Sequence, residues 1–284
     1  MRAPATNRPA FQATPPFVVE QEAGATEWKL RTYPGPEAPR EHDFVGPFIN
    51  PNTGLPNVLT LQCAVPGVGH RNLSEVSSPP LTNSGVPGRA EFNGSALVLA
   101  YRAGDPPSSE KCRVQVNAHA VPTRRVVTWA LGVQLGDAAN PWPMRPATTA
   151  PVLLWQLKAD VMGMTTFPSM GLFVDTDRDD ATKLRLTWFR REQNTKSPEI
   201  REERGGLDPG QRLDVVIRAI LDDRDDGIGE VVVWVNGTIL GGHFGRTLIQ
   251  GLAPHRWAFG LYLMSDANPV PYTYVTRWTA ARMC

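Results

Sequence analysis

The chain has 284 residues, 41% of them hydrophobic and 20% charged, with 29 basic side chains against 28 acidic ones. That length and composition suit one large or two small domains with a sizeable core, and they exclude a disordered polymer. A net charge of +1 excludes the basic excess of a dedicated nucleic-acid binder or a polybasic membrane-surface protein, and no run of about 18 apolar residues is present to span a membrane.

The 27 prolines and 25 glycines are poor residues for helix interiors, so the composition leans towards strands and loops. Residues 1–87 hold 14 of those prolines. Proline lacks an N–H and fixes φ, which excludes long helices and central strands there. The segment reads as an extended anchoring arm with short ordered pieces, Phe17-Val18-Val19 and the run from Val58 to Val65. Such an arm gains little from folding alone, and a neighbouring subunit is the simplest partner to hold it. The expected division is therefore an arm over 1–87 and one domain over 88–284.

Three cysteines, Cys63, Cys112 and Cys284, rule out a metal knuckle or a dense disulfide framework. A Cys63–Cys112 disulfide and free buried thiols both stay open. Residues Met1 to Thr6 lack the apolar stretch of a secretory signal.

From about residue 88 the texture becomes that of strands. Cys112 to Ala120 alternates apolar and polar, as do Lys183 to Trp188 and Arg212 to Leu221, the period of half-buried strands. Val231–Val235 and Trp257–Leu263 read as more buried strands, and Tyr272–Trp278 as a last one. Asp225-Asp226-Gly227 separates two of these runs as a hairpin with a positive-φ glycine, and Asn236-Gly237 marks a second turn. About ten short strands with no long amphipathic helix predict an all-β antiparallel sandwich, a jelly roll of concanavalin-like type behind the proline-rich arm.

The run Asp175-Thr176-Asp177-Arg178-Asp179-Asp180 has alternating carboxylates that suit calcium, but it lacks the glycine and closing glutamate of a calcium loop. It reads first as a solvated turn, as does Asp222 to Gly227. No cofactor is expected, and calcium is the sole candidate metal. The hydrolase, phosphate-loop and dinucleotide signatures are missing. The five histidines lack metal-ligand spacing, and His119 reads as a structural side chain on a sheet surface. Asn72-Leu73-Ser74, Asn93-Gly94-Ser95 and Asn236-Gly237-Thr238 match the glycosylation sequon, the last more simply as a turn. Eight tryptophans read mostly as core, while an exposed one would stack on a sugar ring.

Several short motifs carry a family resemblance. Gly229-Glu230-Val231-Val232-Val233-Trp234-Val235-Asn236-Gly237 resembles the Trp-x-Asn-Gly strand and turn of jelly-roll polysaccharide lyases and concanavalin-like glycan-binding domains. Arg89-Ala90-Glu91 is similar to the Arg-x-Glu of the heparin-lyase-like and glucuronan-lyase-like domain. Trp129 to Leu135 resembles its aromatic-glycine strand, Leu154-Trp155-Gln156-Leu157-Lys158 its Gln-x-His strand, and Trp257 to Tyr262 its closing Phe-Gly-Ile-Tyr strand. The likeness covers residues 88–280 and implies a polysaccharide partner.

A lyase must neutralise a uronate carboxylate, remove the C5 proton and protonate the leaving oxygen. The resemblance places Gln156 near the carboxylate, but the family's histidine falls at Lys158 and its Tyr-x-Lys at Arg256 and Ala258. Arg256 stays protonated and cannot serve as a base; Lys158 could only with a strongly lowered pKa. His255 is one position away, on the other sheet face. Binding is therefore expected ahead of catalysis. The candidate groove residues are Arg89, Glu91, Gln156, Lys158, Arg256 and Tyr262, lining a wet, polar, curved face. Each also reads as an ordinary sheet-surface residue, and Arg89 with Glu91 as a structural pair. The expected setting is a glycan-binding subunit on an assembly such as a virus particle, at its surface or outside a cell. An active lyase and a purely architectural subunit are the alternatives.

Overall fold

The computed structural model describes residues 17–21, 28–32, 48–49, 56–57, 60–63, 70–72, 90–92, 96–103, 112–118, 121, 123–144, 151–159, 166–195, 197–252, 255–263 and 272–283. Before residue 96 this description is of strand pairing. Two hairpins stand apart from the main sheets: β1 (Phe17–Gln21) with β2 (Trp28–Thr32), and β3 (Phe48–Ile49) with β4 (Pro56–Asn57).

The other strands form two antiparallel sheets. Those before residue 150 are β5 (Thr60–Cys63), β6 (His70–Asn72), β7 (Ala90–Phe92), β8 (Leu97–Tyr101), β9 (Cys112–Ala118) and β10 (Val126–Leu135). The later ones are β11 (Val152–Ala159), β12 (Pro168–Thr176), β13 (Leu184–Arg190), β14 (Ile200–Leu207), β15 (Arg212–Ile220), β16 (Glu230–Val235), β17 (Thr238–Phe244), β18 (His255–Leu263) and β19 (Tyr274–Met283). One sheet runs β17-β16-β15-β10-β19-β8-β7, the other β14-β13-β12-β11-β18-β9-β5-β6. The expected all-β antiparallel jelly roll is the observed architecture. The proline-rich segment supplies β5 and β6 to the eight-stranded sheet. No helix among the described residues is long and apolar enough to cross a membrane.

Period-two alternation builds the core. Trp129, Leu131 and Val133 of β10 face Trp155 and Leu157 of β11 across the layers, and all are buried. Trp129 and Trp155 meet edge to face, centroids 5.2 Å apart at 65°, the geometry that aromatic quadrupoles favour. Phe259 sits between Trp257 at 5.6 Å and Trp278 at 5.0 Å. The seven tryptophans with described side chains are all buried, so none of them is the sugar-stacking indole that the sequence left open.

Three local expectations meet the coordinates. Asn236 (φ 49°) and Gly237 (φ 74°) form the turn between β16 and β17, both left-handed as a two-residue hairpin requires. Gly227 does not take positive φ; glycine is needed there because a Cβ would lie 2.5 Å from the Asp222 carboxyl carbon. In the Asp175–Asp180 run, Asp175 and Thr176 end β12 and the rest turns towards β13; Asp175 and Asp177 are buried, not solvated as expected. Asp177 Oδ2 accepts from the Gly206 N–H at 2.7 Å, and Asp180 Oδ1 accepts from Thr182 N–H at 2.8 Å.

His255 begins β18 on the inner face and is 2% exposed. Neither ring nitrogen has a partner among the described residues, and burial lowers its pKa to about 4 from 6.5. The native state therefore holds it neutral. Its contribution is complete above pH 6.5 and is lost as the pH falls from 6.5 towards 4, by up to about 3 kcal/mol. Thermal melts between pH 7 and 4 should show His255→Leu losing less stability on acidification than the parent chain. Parallel losses would place the imidazole in water.

Candidate functional site

The outer face of the eight-stranded sheet collects most of the sequence candidates. On β18 the inward residues are Trp257, Phe259 and Leu261, so Arg256, Ala258, Gly260 and Tyr262 point outward. On β11 the register slips between Leu153 and Trp155 on both edges. This bulge lets Leu154 and Trp155 both enter the core while Leu153, Gln156 and Lys158 turn outward.

Four of the six sequence candidates therefore share one face. Gln156 pairs with Ala258, Lys158 with Arg256, and Tyr262 with Leu153. Lys158, Arg256 and Tyr262 are half-buried. Glu91 lies elsewhere: β7 is the edge of the seven-stranded sheet, and Glu91 pairs there with Val98. Arg89 and His119 lie outside the described residues.

Lys158 and Arg256 stand opposite each other on neighbouring strands, which brings two basic side chains to one place on this face. The same face carries Arg185 and Arg191, with Arg201 opposite Phe189 and Glu203 opposite Thr187. With Asp175 opposite Arg185, the described side chains of β11 to β14 and β18 on this side, with Arg191 just past β13, include five basic residues and two acidic ones, although the whole chain is balanced. Both acids are engaged: Arg185 Nε lies 3.6 Å from Glu203 Oε2, and Asp175 Oδ1 accepts from the Thr176 N–H at 2.8 Å.

The face is neither polar nor wet throughout, contrary to the expectation: Gln156, Arg185, Thr187 and Arg191 are buried. Leu153, Phe173 and Phe189 form a buried cluster with Tyr262 against it. Phe189 lies over Gly171, where a Cβ would meet its ring at 2.6 Å. Arginines cap these rings: Arg191 stands 4.5 Å from the Phe189 centroid and Arg201 6.0 Å from that of Phe173. Burial lowers the Arg191 pKa to about 10, so it stays charged at neutral pH.

Gln115 was not singled out from the sequence. It is fully buried on β9 and opposite Gly260 of β18. Gln156 Nε2 donates to Gln115 Oε1 at 3.2 Å, so two amides meet above Ala258 and Gly260, the two smallest side chains on that stretch of β18. Arg113 is opposite Tyr262 in the same pairing. The alternation after Cys112 puts Arg113 and Gln115 on one face, but the order β11-β18-β9 that brings Gln115 to Gln156 is a long-range property. Among the described residues no group of three or more His, Cys, Asp or Glu is arranged to hold a metal.

No protein-family model matches the chain, and no curated protein does. Solved structures do. Alginate lyase PA1167 from Pseudomonas aeruginosa superposes with a TM-score of 0.57 at 13% identity, covering 80% of this chain and 97% of that one. The endo-β-1,4-glucuronan lyase of the fungus Trichoderma reesei gives 0.50 at 14% identity, covering 68% and 82%. The family 7 alginate lyase A1-II′, in complex with its substrate, gives 0.58 at 10% identity, covering 80% and 92%. The chain is thus similar in fold to alginate and glucuronan lyases.

Proposed function

We propose that the outer face of the eight-stranded sheet binds a linear acidic polysaccharide, and that binding is its principal activity. The carrying observation is the opposed cation pair Lys158 and Arg256 beside Gln156. Charged donors hold carboxylates through short, strong hydrogen bonds. The likeness to alginate and glucuronan lyases supports a uronate-containing chain as the class of ligand.

Catalysis has less support. The positions that the lyase resemblance gives to proton transfer hold Lys158, Arg256 and Ala258, and a guanidinium cannot remove a proton. Cleavage by β-elimination is the second reading, favoured by Tyr262, a phenol on the same face. Glu91 falls outside this face, since β7 belongs to the other sheet, and Arg89 stays in the proposal as a flanking contact.

Titration calorimetry with polymannuronate at low and high salt tests the first reading. We expect saturable binding that weakens as salt screens the charges. Heat without saturation, or binding indifferent to salt, would refute it. New ultraviolet absorbance from unsaturated uronate, lost in Gln156→Ala or Lys158→Ala, would establish the lyase reading instead. We further propose an anchoring role for the proline-rich stretch ahead of β5, attaching the domain to a neighbouring subunit at a virion or extracellular surface. A chain lacking residues 1–55 should keep the sandwich and lose that attachment.

A further inference from the structure

The two buried amides leave hydrogen-bonding capacity unused. Gln156 spends one N–H on Gln115 Oε1. Gln115 Nε2 and Gln156 Oε1 then have no partner among the described residues, and both atoms are shielded from water. The residues themselves are 0% and 5% exposed. Reversing both amides leaves the same remainder, one NH2 and one C=O. A buried polar atom without a partner is costly, and each such case in a native structure asks for a ligand or a role.

We propose that Gln115 and Gln156 form one recognition element for a sugar hydroxyl, and that Gln115 is a specificity-determining residue of the face. The inference rests on the glycan-binding reading above. A hydroxyl donates to the free C=O and accepts from the free NH2, so it satisfies both. A carboxylate satisfies only the NH2 and sets its oxygen against the carbonyl lone pairs. The amide pair therefore takes the hydroxyl side of a uronate, and the acid group falls to Lys158 and Arg256. The floor beneath the pair fits this division. Ala258 and Gly260 are opposite Gln156 and Gln115, and Gly260 has φ 131°, a conformation that keeps larger residues out. Arg256 and Tyr262 flank these two small residues on β18.

The test couples a change in the ligand to a change in the protein. Binding of hexamannuronate, and of hexamannuronate with its ring hydroxyls capped as methyl ethers, is measured by calorimetry. The parent chain should bind the capped probe about tenfold more weakly, the loss of one hydrogen bond at a buried site. The double variant Gln115→Met with Gln156→Met should bind both probes within about twofold. It should melt at or above the parent temperature, because replacing both partners of a buried pair by apolar groups of similar shape is neutral or stabilising. If it does not fold, Gln115→Glu serves instead: it removes the free NH2, and discrimination should again collapse. Equal binding of both probes by the parent chain, or tenfold discrimination surviving in the variants, would overturn the proposal. Binding of neither probe by the parent chain would instead sink the glycan reading, and this inference with it.

Discussion

Replacing Trp155 with alanine is expected to destabilise the sandwich by about 3–5 kcal/mol, the range for emptying a large buried aromatic site. The indole is fully buried and meets Trp129 of the opposite sheet at 5.2 Å. It is therefore a contact between layers, which neighbours in its own sheet cannot replace. Interiors pack at crystal density, so strands β10 and β11 can collapse into the space only in part. For a chain of this size the loss lowers the melting temperature by about 10 °C. The consequence reaches the face beyond, because Gln156 follows Trp155 directly and the bulge sets both side chains. A variant that melts within about 2 °C of the parent would mean that the two sheets do not meet at these rings.

Reversing both cations, Lys158→Glu with Arg256→Glu, is expected to weaken polymannuronate binding at least about a hundredfold. Each charge-assisted hydrogen bond is worth about 1.5–3 kcal/mol, and two together exceed the ~2.7 kcal/mol that a hundredfold requires. Repulsion between the new carboxylates and the polymer adds to this. Because both side chains are half-buried on the outer face, the fold should survive, with a melting temperature within a few degrees of the parent. The remaining binding should no longer weaken as salt rises, since screening now relieves the repulsion between the new carboxylates and the polymer. Folded protein that still binds polymannuronate at parent affinity would move the site elsewhere.

Much of the fold is written in alternation. The runs after Cys112, Lys183 and Arg212 became β9, β13 and β15, and Asn236-Gly237 became a left-handed turn, because each depends on local sterics and on which residues face the core. β14 escaped that reading. Its sequence, Ile200 to Leu207, is Ile-Arg-Glu-Glu-Arg-Gly-Gly-Leu and mostly exposed. Charges of this kind suit an edge strand, where they discourage pairing with other chains, but they leave no apolar signal.

The candidate site was legible to a similar depth. Alternation placed Arg256 outward and His255 inward, as observed. Motif order brought Gln156, Lys158, Arg256 and Tyr262 together. What it missed depends on long-range pairing or local irregularity. Gln115 reaches Gln156 only because β18 lies between their strands, Glu91 fell into the other sheet, and the bulge in β11 turned Leu153 outward to join Phe173 and Phe189.

Amide hydrogen exchange with and without hexamannuronate tests the central claim most directly, that the glycan lies on the outer face of the eight-stranded sheet. New protection should concentrate on β9, β11 and β18 around Gln115, Gln156 and Arg256, leaving β15 and β16 of the opposite sheet unchanged. Protection confined to the seven-stranded sheet, with those three strands exchanging as before, would contradict it.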